Sequence, residues 1–216
     1  GHPEITAFVL DDGFQHRRAA RALDLVLLDA ANPFGHGHVL PRGLLREPAE
    51  NLARANAVLV TRAEADLNWA ALCHQIRVLA PAAPVFRCRH ICRGLVDAGG
   101  CPVPSPGRVL ALSGIGNPDA FITSLMDAGI DVGGSHAVAD HHVYAASDLV
   151  HLKALCDRYD GIVTTEKDWV KLRRLPGVEK LPFYRSQLVI DFADDQAEAL
   201  FALIEKSVQA ARIVKH

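Results

Sequence analysis

The sequence predicts an α/β protein with a parallel sheet and helices on both faces. Short apolar runs recur along the chain, segments with helical spacing lie between them, and several runs end in polar residues. A run that is apolar on both faces is typical of a strand buried on both sides. Strands that alternate with helices imply right-handed crossovers. The predicted parallel strands are residues 5–10, 25–28, 57–61, 109–113 and 161–165.

The composition is that of an ordinary globular protein: 216 residues, 50% hydrophobic and 22% charged. A formal net charge of −2 argues against nucleic acid as a partner, because nucleic-acid-binding domains are normally strongly basic. The five cysteines are odd in number and form no zinc framework, which predicts free thiols in a reducing compartment. No apolar run approaches 18 residues, so no transmembrane helix is predicted, and the first residues lack the order of a signal peptide.

The first predicted strand, residues 5–10, ends in Asp11, Asp12 and Gly13. Polar residues just past a strand's carboxyl end lie where open α/β sheets bind ligands. Paired aspartates there can hold Mg²⁺ directly or through its waters, although Asp-Gly is also an ordinary turn pair.

The elements that follow, up to residue 83, complete a first predicted domain. We expect a short helix at 17–23, a strand that ends in Asp29, a helical turn at 50–55 and a helix at 67–79. Residues 32–48 contain too many glycines and prolines for a regular element, yet their apolar members indicate an ordered loop on the substrate side.

Residues 84–106 are predicted to form a small antiparallel ribbon that links two lobes. Residues 85–89 alternate apolar and polar side chains, and residues 95–97, before Gly99 and Gly100, fit a hairpin partner.

The last predicted domain covers residues 107–216. After the strand at 109–113 come Gly114 and a helix at 119–128, whose N-cap is Asn117. A strand, a glycine turn and a helix amino terminus in this order can bind an anion, or can be a simple βα turn. Three further helices are predicted: one at 147–159 with Ser147 as its N-cap, one that directly follows the strand at 161–165, and one at 194–213. A short strand is predicted at 189–191.

Polar groups follow four predicted strand ends, and in a parallel sheet these ends lie on one edge. His141 follows Asp140 and is a candidate general base, or part of a surface histidine pair. Lys167 and Asp168 are candidates to contact the phosphate or base of a cofactor, or mark a helix start. A rival interpretation is a divalent-metal hydrolase, although no HExxH motif is present. Its candidate ligands would be Asp11, Asp12, His16, His36, His38, His141 and His142.

Six segments in order resemble the motifs of the tetraacyldisaccharide 4'-kinases, the lipid A 4'-kinases of Gram-negative bacteria. They are the Asp-Asp-Gly-Phe-Gln-His-Arg-Arg of residues 11–18, the strand region 21–30, the Phe-Gly-His-Gly and Leu-Pro-Arg-Gly-Leu-Leu-Arg-Glu-Pro of 34–48, the Gly-Ile-Gly segment of 111–118, the Ala-Asp-His-His of 139–142, and the Thr-Thr-Glu-Lys-Asp-Trp-Val-Lys of 164–171. His36 and Arg42 stand where the family motif has Asn and Ala.

The resemblance implies a P-loop NTPase-like fold and ATP-dependent phosphorylation of the 4' hydroxyl of tetraacyldisaccharide 1-phosphate, with ATP and Mg²⁺ as cofactors. It implies Mg²⁺ and phosphate chemistry at Asp11 and Asp12, and catalysis by Asp12 and His141. Substrate contacts are expected from Gln15, His16, Arg46 and Glu47, and cofactor contacts from Gly114, Asn117, Lys167 and Asp168. A lipid substrate implies peripheral contact with the cytoplasmic face of the bacterial inner membrane.

The P-loop motif GxxxxGK[ST], with which the family opens, does not occur in these 216 residues. We therefore expect the chain to be the carboxyl-terminal two-thirds of a kinase that does not turn over alone. The non-enzyme alternative is a lipid- or partner-binding remnant that kept the fold without the chemistry.

Overall fold

The computed structural model describes residues 7–64 and 67–213 of the chain. By its internal contacts the chain forms two compact units, Gly1–Arg89 with Asp191–His216, and His90–Ile190. The predicted domain boundaries at 84 and 107 stay a prediction. Within the described residues, no helix is both long and apolar enough to cross a membrane.

The first unit contains a parallel ladder of β1 (Leu25–Asp29), β2 (Ala57–Thr61) and the start of β3 (Val85–Val96). Helix α1 (Trp69–Leu79) connects β2 to β3, and α5 (Gln196–Ile213) is the last helix of the chain. A 3₁₀ helix, Ala49–Arg54, precedes β2.

Strand β2 shows why this unit is layered. Val58 belongs to the same buried cluster as Ile76 of α1, whereas Leu59 belongs to the cluster that contains Leu200 of α5. Because successive strand residues point to opposite faces, each face of β2 is covered by a different helix. The predicted helices on both faces are therefore present here.

The second unit has a four-stranded parallel ladder in the order β6, β5, β7, β8. These strands are β5 (Val109–Ser113), β6 (Val132–Ala137), β7 (Gly161–Thr164) and β8 (Phe183–Phe192), the last of which ends in the first unit. The helices are α2 (Pro118–Asp127), α3 (Ala146–Cys156) and α4 (Glu166–Leu172). On β7, Ile162 packs in the cluster of Leu152 and Val163 in the cluster of Leu125, so both faces are again covered.

Residues 5–10 do not bear out the predicted first strand. Residues 5 and 6 lie outside the described residues, residues 7–10 are not in a strand, and Val9 is 97% exposed. A strand needs a neighbour that pairs with its backbone, and an apolar pattern alone does not supply one.

The predicted helix at 17–23 is also wrong. This segment forms turns, with the Ala19 N–H donating to the His16 carbonyl over 3.0 Å. The Arg21 side chain is drawn back onto the carbonyls of Gly13 and His16, which favours a turn over a regular helix.

The predicted antiparallel ribbon at 84–106 is present in part. Residues 85–96 form the single strand β3, whose first residues pair parallel to β2. Leu95 and Val96 pair antiparallel with β4 (Pro102–Val103), around the predicted glycine turn. Strand β3 also neighbours β8 in the sheet. Alternation of polar and apolar residues indicated partial exposure but did not fix the direction of the partner strand.

Three further differences concern the second unit. Strand β6 was not predicted, and β8 is ten residues long where only 189–191 were expected. Helix α3 begins after Ala145 rather than Ser147, because the Asp148 carboxylate accepts the Ala145 N–H over 2.7 Å.

Candidate active site

The acidic turn, residues 11–18, is held in the first unit by arginines from elsewhere in the chain. Arg21 donates to the carbonyls of Gly13 (3.1 Å) and His16 (2.6 Å) and is itself held by Asp24. Arg54 lies over the Phe14 ring, 4.4 Å from its centroid, and donates to the Phe14 carbonyl. The turn thus has a defined shape without belonging to a helix or strand.

Asp11 and Asp12 are exposed at this turn. Asp12 has a left-handed backbone (φ 55°), and its carboxylate pairs with the Arg46 guanidinium. The turn encloses an open depression of about 760 Å³, lined in part by Asp11, Gln15 and His16. Accessible carboxylates suit Mg²⁺, which keeps several waters and uses one or two carboxylates together with substrate phosphates.

Glu47 differs from its neighbour Arg46 because it is held inward. Its carboxylate accepts from Arg54 over 2.8 Å and from Asn51 over 3.0 Å, and its side chain is 19% exposed. The structure therefore brings three of the predicted residues of this unit, Asp12, Arg46 and Glu47, into one connected set with the acidic turn.

Asp168 organises the polar end of the second unit. It is fully buried, and its Oδ2 accepts from the Gly114 N–H over 2.8 Å and from the Thr165 hydroxyl over 2.7 Å. A side chain at position 114 would place its Cβ 2.9 Å from Asp168 Oδ1, so only glycine fits. Asp168 thereby ties the end of β5 to the start of α4.

Tyr144 and Lys171 complete the surroundings of Asp168. Burial raises the pKa of the Tyr144 phenol, and the negative charge of Asp168 raises it further. The Lys171 ammonium lies 3.8 Å from Asp168 Oδ1. Neither was singled out from the sequence, although Lys171 follows Asp168 at the spacing of one helical turn, which is a usable signal.

His141 is exposed beside Asp140. It has a left-handed backbone (φ 63°), its side chain is 82% exposed, and its Nε2 lies 3.7 Å from Asp140 Oδ2. The His141 N–H donates to Asp140 Oδ1 over 2.9 Å. An accessible imidazole next to a carboxylate can take a proton from a hydroxyl, because the negative charge favours the imidazolium that forms.

Lys167 pairs with the same aspartate. Its Nζ lies 2.7 Å from Asp140 Oδ1, and this hydrogen bond is the main reason why the pKa of Asp140 is lowered from its ordinary 3.8. Asp140 therefore stays ionised well below neutral pH. Its stabilising effect is full above its ordinary pKa and is lost as the pH falls through the lower folded value.

We expect Lys167→Gln to return the pKa of Asp140 towards its ordinary value, because the hydrogen bond from the ammonium is removed. The measurement is an NMR titration of the Asp140 carboxyl carbon in both proteins. Lys153→Gln, an exposed lysine on α3, is the control and should leave that titration unchanged. An Asp140 titration that is the same with and without Lys167 would contradict this account.

Asn117 acts as predicted at the start of α2. Its side-chain oxygen accepts the Ala120 N–H over 3.1 Å, and Pro118 is the first helical residue. Since its side chain caps the helix, Asn117 shapes the turn between β5 and α2.

Comparison with known proteins decides the family. The sequence model of the family "Tetraacyldisaccharide-1-P 4'-kinase" matches residues 2–209. The chain belongs to the tetraacyldisaccharide 4'-kinase family. This confirms the resemblance stated from the motifs.

Relatives in the tetraacyldisaccharide 4'-kinase family match most of the chain. It is 42% identical over 196 residues to the protein of that name from Syntrophobacter fumaroxidans, covering 87% of this chain and 50% of the relative. It is 46% identical over 176 residues to one from an Anaeromyxobacter species, covering 77% and 47%. The chain thus spans about half the length of the curated relatives it matches.

A solved structure confirms the fold class. The crystal structure of LpxK from Aquifex aeolicus in complex with ATP superposes with a TM-score of 0.64 at 24% identity, covering 91% of this chain and 56% of that one. The α/β architecture with a mostly parallel sheet is therefore that of the tetraacyldisaccharide 4'-kinase family.

The geometry of the described residues tests which of them could bind a metal ion. In the described ranges, no group of three or more His, Cys, Asp or Glu side chains converges as a metal site. The pair Asp11 and Asp12 still fits Mg²⁺, whose remaining ligands would be water and phosphate oxygens. The hydrolase alternative rests on the sequence alone.

Within each unit the structure brings predicted residues together. Asp12 meets Arg46 in the first unit; in the second, Gly114 meets Asp168 and Asp140 meets Lys167. The ends of the parallel neighbours β5 and β7 lie on one edge of the second unit. The first of the four predicted strand ends is not confirmed, because residues 7–10 are not in a strand. That the strand ends of both units share one edge stays a prediction. Arg21 and Arg54 were not predicted as site residues, although the three-residue spacing of Arg21 and Asp24 indicates a local ion pair.

Proposed function

We propose that the protein phosphorylates the 4' hydroxyl of tetraacyldisaccharide 1-phosphate, a lipid A precursor, with ATP. The observation that carries the proposal is the exposed aspartate pair of the acidic turn, in a chain that belongs to a family named for this kinase activity. Phosphoryl transfer needs little covalent chemistry from the protein, because positioning and charge stabilisation dominate.

In this proposal Asp11 and Asp12 hold Mg²⁺. The ion would neutralise charge on the phosphates during transfer. The pairing of Asp12 with Arg46 connects this carboxylate to one of the proposed substrate-binding residues. Gln15, His16, Arg46 and Glu47 contact the substrate: Arg46 and His16 suit its phosphate, and Glu47 is fixed by Arg54 to accept from a sugar hydroxyl.

His141 takes the proton of the attacking hydroxyl. The support for this role is its exposure and the neighbouring Asp140 carboxylate, 3.7 Å from its Nε2. The hydrogen bond from Lys167 lowers the pKa of Asp140 further below neutral pH.

The cofactor side of the proposal assigns contact and shape to different residues. Lys167 is 44% exposed and suits a phosphate of ATP, whereas Gly114, Asn117 and Asp168 set the turn at the start of α2. Because the carboxylate of Asp168 is buried against Gly114, its contribution is to position that turn.

A lipid substrate places the protein at a membrane surface, so we propose peripheral contact with the cytoplasmic face of the inner membrane.

The test is a kinase assay on the protein isolated from its source cells, with ATP, Mg²⁺ and tetraacyldisaccharide 1-phosphate. Mass spectrometry should find one added phosphate, and Asp12→Asn should reduce the rate. Lipid binding without ATP binding would instead favour the remnant, and metal-dependent hydrolysis unaffected by ATP would favour the hydrolase.

The 216 residues alone should bind substrate but not catalyse its phosphorylation, because they contain no GxxxxGK[ST] motif to hold the phosphates of ATP. Its 23.4 kDa should be compared with the intact mass of the protein from source cells. Lipid-dependent ATP consumption by these 216 residues alone would refute this part of the proposal.

A further inference from the structure

The segment between His38 and Leu45, the leucine loop, has a fixed shape in the first unit. Leu40 N–H donates to the Leu45 carbonyl over 2.8 Å, and Leu45 N–H donates to the His38 carbonyl over 3.1 Å. Gly43 is buried, and a Cβ there would lie 2.6 Å from the Gly35 carbonyl oxygen. Hydrogen bonds within its own backbone, rather than burial of its largest side chains, therefore hold the loop in shape.

The two leucines at the tip of this loop point away from the protein. Leu40 is 59% exposed and Leu44 62% exposed, and the exposed Arg42 stands between them. Single exposed leucines are common, but two on one rigid turn with a cation between them match the chemistry of a lipid surface.

The leucine loop continues into the acidic turn. Arg46 follows Leu44 by two residues, a span of at most about 7 Å, and pairs with Asp12. Arg42 is exposed on the leucine loop, and Arg17, Arg18 and Asp11 are exposed on the acidic turn that Arg46 joins to it. Three arginines against one aspartate are net positive, although the whole chain is not.

We propose that the leucine loop is the surface by which the protein docks on an anionic lipid bilayer. Leu40 and Leu44 enter the boundary between headgroups and acyl chains, while Arg42, with Arg17 and Arg18, contacts lipid phosphates. The inference deepens the proposed function and rests on it for one point, that the substrate of the acidic turn is a lipid. A headgroup bound at Asp12 would then leave its acyl chains beside the two leucines.

The test is sedimentation of the full chain with vesicles of phosphatidylglycerol and phosphatidylethanolamine, compared with phosphatidylcholine vesicles. Leu40→Glu with Leu44→Glu should lower the partition onto anionic vesicles by more than about tenfold, since apolar burial is lost and like charge is added. Arg42→Gln should lower it by about fivefold on anionic vesicles and little on neutral ones.

Val150→Glu is the matched control, because Val150 is 71% exposed on α3 of the other unit. It should change the partition less than twofold. Equal binding by the leucine variant and the control would overturn the proposal, as would equal binding of the unmodified chain to anionic and neutral vesicles.

The outcome is separable from that of the kinase proposal. Vesicle binding needs neither ATP nor Mg²⁺, so its loss in the leucine variant would stand even if no phosphoryl transfer were found. Conversely, if the protein is an active kinase and its vesicle binding does not change when Leu40 and Leu44 are replaced, only the proposed docking surface would be refuted.

Discussion

Replacing His141 with alanine is expected to lower kcat by on the order of 10²- to 10⁴-fold, the usual contribution of a positioned general base. The physical reason is that His141 presents an accessible imidazole beside the Asp140 carboxylate. Because the side chain is largely exposed, its removal should leave the thermal unfolding midpoint unchanged. The measurements are steady-state kinetics with saturating ATP on the protein from its source cells, because the 216 residues alone are not expected to turn over, and thermal unfolding of the same preparation.

His74→Ala is the matched control for that experiment. His74 is exposed on α1 and has no role in the proposal, so its replacement should change neither kcat nor unfolding. A kcat for His141→Ala within a few fold of the unmodified protein would remove His141 from the mechanism. A fall in both kcat and unfolding midpoint would point to a structural role instead.

Replacing Asp168 with alanine is expected to lower the free energy of unfolding by about 3 kcal/mol. Two donors, the Gly114 N–H and the Thr165 hydroxyl, would lose the oxygen that accepts from them, and each buried unsatisfied donor costs roughly 1–3 kcal/mol. Asp168→Asn should cost less, about 1 kcal/mol, since its amide oxygen can keep accepting from both donors. Its NH₂ would take the place of Oδ1, which accepts no hydrogen bond within the described structure.

Denaturant unfolding of both variants measures these losses, with Asp131→Ala as the control at an exposed position. That control should change the free energy of unfolding by less than about 0.5 kcal/mol. If Asp168→Asn proves as destabilising as Asp168→Ala, the negative charge itself, 3.8 Å from Lys171, would be what holds this region.

Strand β6 shows a limit of reading strands from the sequence. It reads Val-Gly-Gly-Ser-His-Ala, and glycine is depleted in strands. In the structure the Tyr159 hydroxyl lies against Gly134 and the Arg108 side chain against Gly133, in the space that Cβ atoms would fill. The glycines leave space for these side chains, which come from other elements of the fold. Because this packing favours glycine over the usual strand residues, the sequence did not show a strand pattern here.

Residues 7–10 show the opposite case. Their apolar pattern predicted a buried strand, yet Phe8 and Val9 are exposed. A strand is stabilised by neighbours that pair with it, and the sequence pattern records only the side chains.

By itself the sequence determined the fold class, five α-helices of the described structure and the parallel strands β1, β2, β5 and β7. These follow from periodicity and local chemistry, which lie within a few residues. The candidate site residues came from the resemblance to the kinase motifs. Only the tertiary structure decided which polar groups meet: Asp12 with Arg46 across 34 residues, and Gly114 with Asp168 across 54. Such pairs depend on how loops at separate strand ends approach each other, and no local pattern encodes that distance.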